Sequence, residues 1–143
     1  MSWITPKTNW AVSWDQEGNY TGDYFNITDY NRITGNMEVL KELAAEVFGA
    51  DINRTYDSKT YNSFYYAGDV NAITQTLNDL ANQTYALIAT AFPTYSGNQA
   101  FPDYVTWNAI ESAQLAYYNM ITSTKSIQRR LSFNLGRPTL GNR

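Results

Sequence analysis

The chain has 143 residues, with 13 acidic and 10 basic side chains, 43% apolar residues, no cysteine and no histidine. The absence of cysteine excludes disulfides and thiolate metal sites, and the absence of histidine removes the commonest general base and metal ligand. No run of about 18 apolar residues exists, so no membrane span is expected, and the opening Met1-Ser2-Trp3-Ile4-Thr5-Pro6-Lys7 lacks the basic and apolar regions of a signal peptide.

Residues 1–25 read as an extended arm. Trp3, Trp10, Trp14, Tyr20, Tyr24 and Phe25 are spread among Thr, Asn, Asp and Gly with no helical period. Large aromatic side chains on an irregular segment need a cover. Two covers are open: the chain's own bundle, or a neighbouring subunit contacted through Trp3, Trp10 and Trp14.

The first helix is predicted over Asp29 to Phe48. Thr28 is the candidate N-cap, and Ile27 before it can serve as a staple. Tyr30, Ile33, Met37, Leu40, Leu43, Ala44 and Val47 recur at steps of three and four, and Gly49 supplies the stop. Residues 50–67 then form a long connection bearing Tyr56, Tyr61, Phe64, Tyr65 and Tyr66 among small polar residues. A connection of this length carries function or structure of its own. It reads either as a lid packed on the bundle or as a binding surface. In the second case Tyr56, Tyr61, Tyr65 and Tyr66 stack on sugar rings while Asn62 and Asp57 bond the hydroxyls.

The second helix is predicted over Asp69 to Ala91. Val70, Ile73, Leu77, Leu80, Ala81, Leu87, Ile88 and Ala91 form its stripe, and Phe92-Pro93 ends it. A turn-rich linker over 93–102 leads to a third helix over Tyr104 to Ser123. After Thr124 the period changes: Ile127, Arg129, Leu131, Phe133 and Leu135 stand at every second position. That alternation predicts a strand. A lone strand cannot satisfy its edges, so it must pair with the arm or with another chain.

The helix openings repeat. Tyr30-Asn31-Arg32-Ile33 returns as Val70-Asn71-Ala72-Ile73 and as Trp107-Asn108-Ala109-Ile110. In each copy the aromatic or Val and the Ile, three apart, face the core together. Asn31, Asn71 and Asn108 fall in the first helical turn, where they can accept from exposed backbone N–H groups or brace the preceding loop. A helix-start and packing module is the stronger reading; a ligand role for the three Asn is the weaker one.

Charge is distributed unevenly. Thirteen acidic and five basic residues fall within 1–111, whereas Lys125, Arg129, Arg130, Arg137 and Arg143 follow with no acid among them. The body is therefore net −8 and the remainder +5. The basic segment can fold back on the acidic body, or dock on a neighbouring subunit through Arg129, Arg130, Leu131 and Phe133. Five spaced charges without an aromatic motif make a poor phosphate footprint, so nucleic acid is not expected as a partner. The acids are scattered with no carboxylate pair, and neither a Gly-rich phosphate loop nor metal-ligand spacing occurs. The sequence therefore points to no enzyme, catalytic residue, metal or cofactor.

Trp3-Ile4-Thr5-Pro6-Lys7-Thr8-Asn9-Trp10 and Asp23-Tyr24-Phe25-Asn26-Ile27-Thr28-Asp29-Tyr30-Asn31-Arg32-Ile33 resemble small tail and baseplate structural proteins of phages and prophages of Gram-positive bacteria. Trp107-Asn108-Ala109-Ile110-Glu111 is similar to a second copy of that pattern. Arg129-Arg130-Leu131-Ser132-Phe133-Asn134-Leu135-Gly136 is similar to the family's C-terminal tail. The Tyr-rich loop has no counterpart there. The expectation is a mainly α protein: an arm over 1–25, a three-helix bundle over 26–124 and a basic strand or tail over 125–143. The resemblance implies a virion component, assembled in the bacterial host cytoplasm. It would occur in several copies in the tail, baseplate or neck, and contact copies of itself and other phage structural proteins through its terminal segments. The alternative is a host-adhesion protein that binds cell-wall carbohydrate through the Tyr-rich loop.

Overall fold

The computed structural model describes residues 2–85, 92–98 and 100–135. It contains three helices: α1 over Ile27–Phe48, α2 over Ala67–Thr84 and α3 over Tyr104–Leu135. Each packs against the other two. Their apolar stripes meet in one core, where Ile33, Met37, Leu40, Ile73, Leu80, Ile110, Tyr117 and Ile121 are fully buried. The expected mainly α bundle is therefore present.

Local chemistry accounts for the helix ends. Asn26, rather than Thr28, caps α1: its side chain accepts from Thr28 N and Asp29 N, while Asp29 accepts from Asn26 N at 3.0 Å. This reciprocal pair is a capping box. Gly49 closes α1 at φ 69°, a left-handed conformation that an L side chain rarely adopts. Asp69 accepts from Tyr66 N at 2.7 Å at the start of α2. Asp103 accepts from Thr106 N at 3.0 Å at the start of α3. Tyr85, at φ 58°, ends α2, and residues 86–91 of the longer predicted helix lie outside the described residues.

All three helices run in the same direction. Arg32 meets Glu111 near the start of α1 and α3, and Glu46 meets Lys125 near the far end of α1. The connection over 49–66 doubles back between α1 and α2. Asp51 N bonds Gln83, Arg54 pairs with Asp79, Tyr56 Oη bonds Thr76 and Lys59 pairs with Asp69, so the connection rises as α2 descends. Lys41 Nζ donates to Arg54 O and Tyr30 Oη to Asp57 O, on the α1 side. The N-terminal arm does the same between α1 and α3. Trp3 stacks on Tyr118 at 4.0 Å, Ile4 bonds Asn36, Lys7 N bonds Glu111 and Trp10 bonds Asn108. The fold is thus a parallel bundle whose helices are each preceded by an extended segment.

Two expectations need correction. Residues 125–135 are helical and continue α3, so no strand forms there. Ile127, Leu131 and Leu135 are spaced by two as part of an alternation, but also by four, and no Gly or Pro breaks the helix before residue 136. Thr122 and Thr124 direct their hydroxyls back to Tyr118 O and Met120 O, which satisfies them within the helix. The tail over 136–143 lies outside the described residues. The second correction concerns the arm. It lies against its own bundle, with Trp10 in the core and therefore closed to a neighbour, while Trp3 stacks on Tyr118 and is partly buried. Trp14 is 66% exposed and keeps that role open.

Candidate functional site

The repeated Asn residues mark equivalent places. Each is the fifth residue of its helix, and the flanking Tyr30/Ile33, Val70/Ile73 and Trp107/Ile110 are buried. Asn71 and Asn108 brace extended backbone, although not the loops that directly precede their own helices. Asn71 accepts from Tyr95 N and donates to Tyr95 O, both at 2.7 Å. Asn108 accepts from Trp10 N at 2.7 Å and donates to Trp10 O at 2.9 Å. A carboxamide that engages both the N–H and the C=O of one residue acts as a one-residue β-partner. Asn36, which the repeat does not flag, does the same for Ile4, accepting at 2.9 Å and donating at 2.7 Å. Asn31 is exposed and lies beside a groove of about 330 Å³.

Glu111 joins the arm to two helices. Its side chain is fully buried, and it accepts from Lys7 N at 3.0 Å, Trp10 Nε1 at 2.5 Å, Arg32 Nε at 2.7 Å and Arg32 Nη2 at 3.0 Å. Arg32 also meets Asp29 at 2.8 Å. Burial works against the Arg32 charge, but Glu111 and Asp29 outweigh it and hold the guanidinium above its ordinary pKa. Every lone-pair direction that the carboxylate presents is occupied, so this cluster is a structural joint with no vacant position for a reactant.

The Tyr-rich loop divides in two. Tyr56 packs in the α1/α2 groove with its hydroxyl on Thr76 Oγ1 at 2.7 Å, and burial raises its pKa. Tyr65 packs on Phe25 and Tyr30, with ring centres at 5.2 and 5.3 Å. Of the four tyrosines, Tyr61 and Tyr66 stand largely exposed, at 86% and 65%, as does Phe64 between them. The four rings therefore do not form one stacking platform.

A different aromatic surface lies at the end of the bundle where the helices begin. Phe25 sits at its floor, 4.3 Å from Trp107 and 5.3 Å from Phe101 between ring centres. Tyr20, Tyr24 and Tyr104 rise at the edges of a groove of about 410 Å³, with the Asp23 and Asp103 carboxylates beside them. The Lys7 ammonium at 2.5 Å, with Ala11 N, holds Asp23 below its ordinary pKa. A second groove of about 180 Å³ shares Phe101 and Pro102 and continues to Tyr66 and Tyr95. The rings come from the arm, from the segments before α2 and α3 and from the first turn of α3, and no local pattern announced their meeting.

At the opposite end, Gln128 Nε2 donates to Val47 O near the last turn of α1. From there α3 continues for about 10 Å at the helical rise. Arg129, Arg130 and Leu131 are exposed on this extension, Leu131 at 55%, and Ile127 just before it is exposed at 56%. Phe133 belongs to its last turns, and its side chain lies outside what the structure describes. Among the described residues no group of three or more acidic side chains is placed to hold a metal ion, and no helix is long and apolar enough to cross a membrane. Comparison of the chain with protein-family models, curated proteins and solved structures gives no match.

Proposed function

We propose that the protein is a non-enzymatic structural subunit of a phage virion, present in several copies in the tail, baseplate or neck. It would be assembled in the bacterial host cytoplasm and contact copies of itself and other phage structural proteins. The observation that carries this reading is the far end of α3. Ile127 and Leu131, one turn apart, stand exposed between basic side chains on a helix that runs past its α1 neighbour. Helical extensions of this kind gain most of their stability from a packed partner rather than from propensity. The net −8 of residues 1–111 offers the complementary sign on another copy. Trp10 of the arm is taken up by the chain's own core, so the main joint shifts to α3, with Trp14 as the exposed aromatic ring of the arm's first 19 residues.

Sedimentation velocity of the full chain tests the joint. Self-association that grows with concentration, and is lost in Ile127→Glu/Leu131→Glu with unchanged circular dichroism, supports it. A monomer at every concentration overturns homo-assembly. Immunogold microscopy of particles released from the source cells tests the virion role, and unlabelled particles overturn it.

Carbohydrate binding at the cell wall is the second reading, favoured by the aromatic groove around Phe25. Exposed rings beside carboxylates match the apolar faces and hydroxyls of a sugar. The site moves from Tyr56, Tyr61, Tyr65 and Tyr66 to Tyr24, Phe101 and Tyr104. A cell-wall pulldown that Tyr24→Ala and Phe101→Ala abolish supports this reading, and retention unaffected by either change removes it.

A further inference from the structure

We propose that the groove beside Asn31 receives the C-terminal segment of a second copy of the chain, held as extended backbone by the Asn31 carboxamide. The inference rests on the multi-copy reading above and adds a second, separate contact to it.

The argument starts from the internal repeat. Three Asn side chains occupy the fifth position of the three helices, and two of them grip a residue of an extended segment through paired hydrogen bonds. Tyr95, gripped by Asn71, lies nine residues before the start of α3; Ser58 lies nine before the start of α2. Trp10, gripped by Asn108, lies seventeen before the start of α1, so the spacing varies; by the Asn71 spacing Ser58 is the residue that Asn31 would grip. It does not. Tyr30 Oη takes the neighbouring Asp57 O at 2.8 Å, and the Asn31 carboxamide makes no hydrogen bond among the described residues. The groove of about 330 Å³ opens between Asn31, Thr34 and Glu38 on one side and Tyr56, Asp57 and Ser58 on the other. It is the one copy of the Asn clamp in which the amide faces space for another strand of backbone.

Charge selects the occupant. The groove carries two carboxylates, of which Glu38 meets Lys41 at 3.0 Å. The chain's segment after Leu135 reads Gly136-Arg137-Pro138-Thr139-Leu140-Gly141-Asn142-Arg143, basic and without acids. All its residues except Pro138 offer the N–H and C=O pair that the clamp requires. Geometry then assigns it to another molecule. Arg32, next to Asn31, lies at the level of Glu111, and Leu135 is about 36 Å further along α3. Eight fully extended residues span at most about 29 Å. A chain cannot reach its own Asn31, whereas a second copy can.

The test uses a fluorescently labelled peptide, Gly136 to Arg143, titrated into the full chain and followed by anisotropy. Saturable binding is expected, weakened about tenfold or more by Asn31→Ala, since two hydrogen bonds are lost. Raising the salt, or replacing both peptide Arg residues by Gln, weakens it further. Asn31→Ala removes an exposed side chain without bonds, and its melting curve verifies that it folds. Peptide binding equal in Asn31→Ala and the parent, or no binding at all, overturns the inference. A self-association constant that is unchanged in Asn31→Ala and in the chain lacking residues 136–143 also overturns it, while leaving the joint at Ile127 and Leu131 intact.

Discussion

Arg32 grips Glu111 side-on, with Nε 2.7 Å from one carboxylate oxygen and Nη2 3.0 Å from the other. The same two oxygens receive Lys7 N and Trp10 Nε1, so α1, α3 and the arm meet on one buried anion. Removing one partner of such a pair leaves the other charge uncompensated away from water, at about 3–5 kcal/mol. Glu111→Gln therefore lowers the unfolding free energy from urea titration toward the lower end of that range, since Asp29 still pairs with Arg32. Trp10 loses its carboxylate partner in the same variant, and its fluorescence shifts toward that of a solvated indole. An unchanged midpoint contradicts the role of Glu111 as a joint.

The Asn clamps make a sharper internal comparison. Asn71 and Asn108 each contribute two hydrogen bonds to extended backbone, and Asn31 contributes none among the described residues. At about 1 kcal/mol per bond, Asn71→Ala and Asn108→Ala each destabilise the monomer by about 2 kcal/mol. Asn31→Ala changes it by less than about 0.5 kcal/mol, as surface substitutions do. Denaturant titrations at a concentration where the chain is monomeric measure all three. Equal effects at the three sites contradict the assignment of Asn31 as a vacant clamp.

The helices were legible because each buries a stripe whose spacing is visible within twenty residues, as with Tyr30, Ile33, Met37 and Leu40. The triplicated Asn was legible as a repeat, but its partners were not: Asn108 meets Trp10 across 98 residues of chain. Glu111 was visible as the last acid before the basic segment and as the end of the third motif, but its role was not, because its partners stand on the arm and on α1. The end of α3 was misread because Ile127, Leu131 and Leu135 fit a two-residue and a four-residue period at once. A short apolar pattern does not separate these two, and the tethers from Lys125 to Glu46 and Gln128 to Val47 appear only in three dimensions. The parallel direction of the helices was hidden too, since nothing local states that residues 49–66 run back along α1.

Alkaline pH loosens the fold through Tyr30. Its buried hydroxyl, near the Asp69 and Asp57 charges, has its pKa pushed up to about 12. A group whose folded pKa is raised contributes fully while it stays protonated below its unfolded value of about 10. That contribution disappears as the pH climbs toward about 12. Burial shifts Tyr56 in the same direction. Melting temperatures taken from pH 8 to 12 fall above pH 10, and the fall is smaller in Tyr30→Phe, with Tyr56 accounting for part of the remainder. An identical alkaline slope in the two proteins contradicts this account.

Tyr117 predicts a change of the opposite sign. Its ring is a main element of the core, but its hydroxyl is buried with no hydrogen-bond partner among the described residues. Burial alone raises its pKa, in keeping with a hydroxyl that has lost water and gained nothing. Gln114 Oε1, one turn earlier on α3, is unpartnered as well, although its amide nitrogen donates to Ile33 O at 2.8 Å. An unsatisfied buried polar group costs about 1–3 kcal/mol, and replacing it by an apolar group of the same shape recovers part of that. Tyr117→Phe keeps the ring and removes the hydroxyl, so the melting temperature rises, with a gain of about 1 kcal/mol in denaturant titration. A loss of 1 kcal/mol or more would mean that the hydroxyl is satisfied within the bundle, and that the Gln114–Tyr117 face of α3 is a polar network rather than a purely apolar contact.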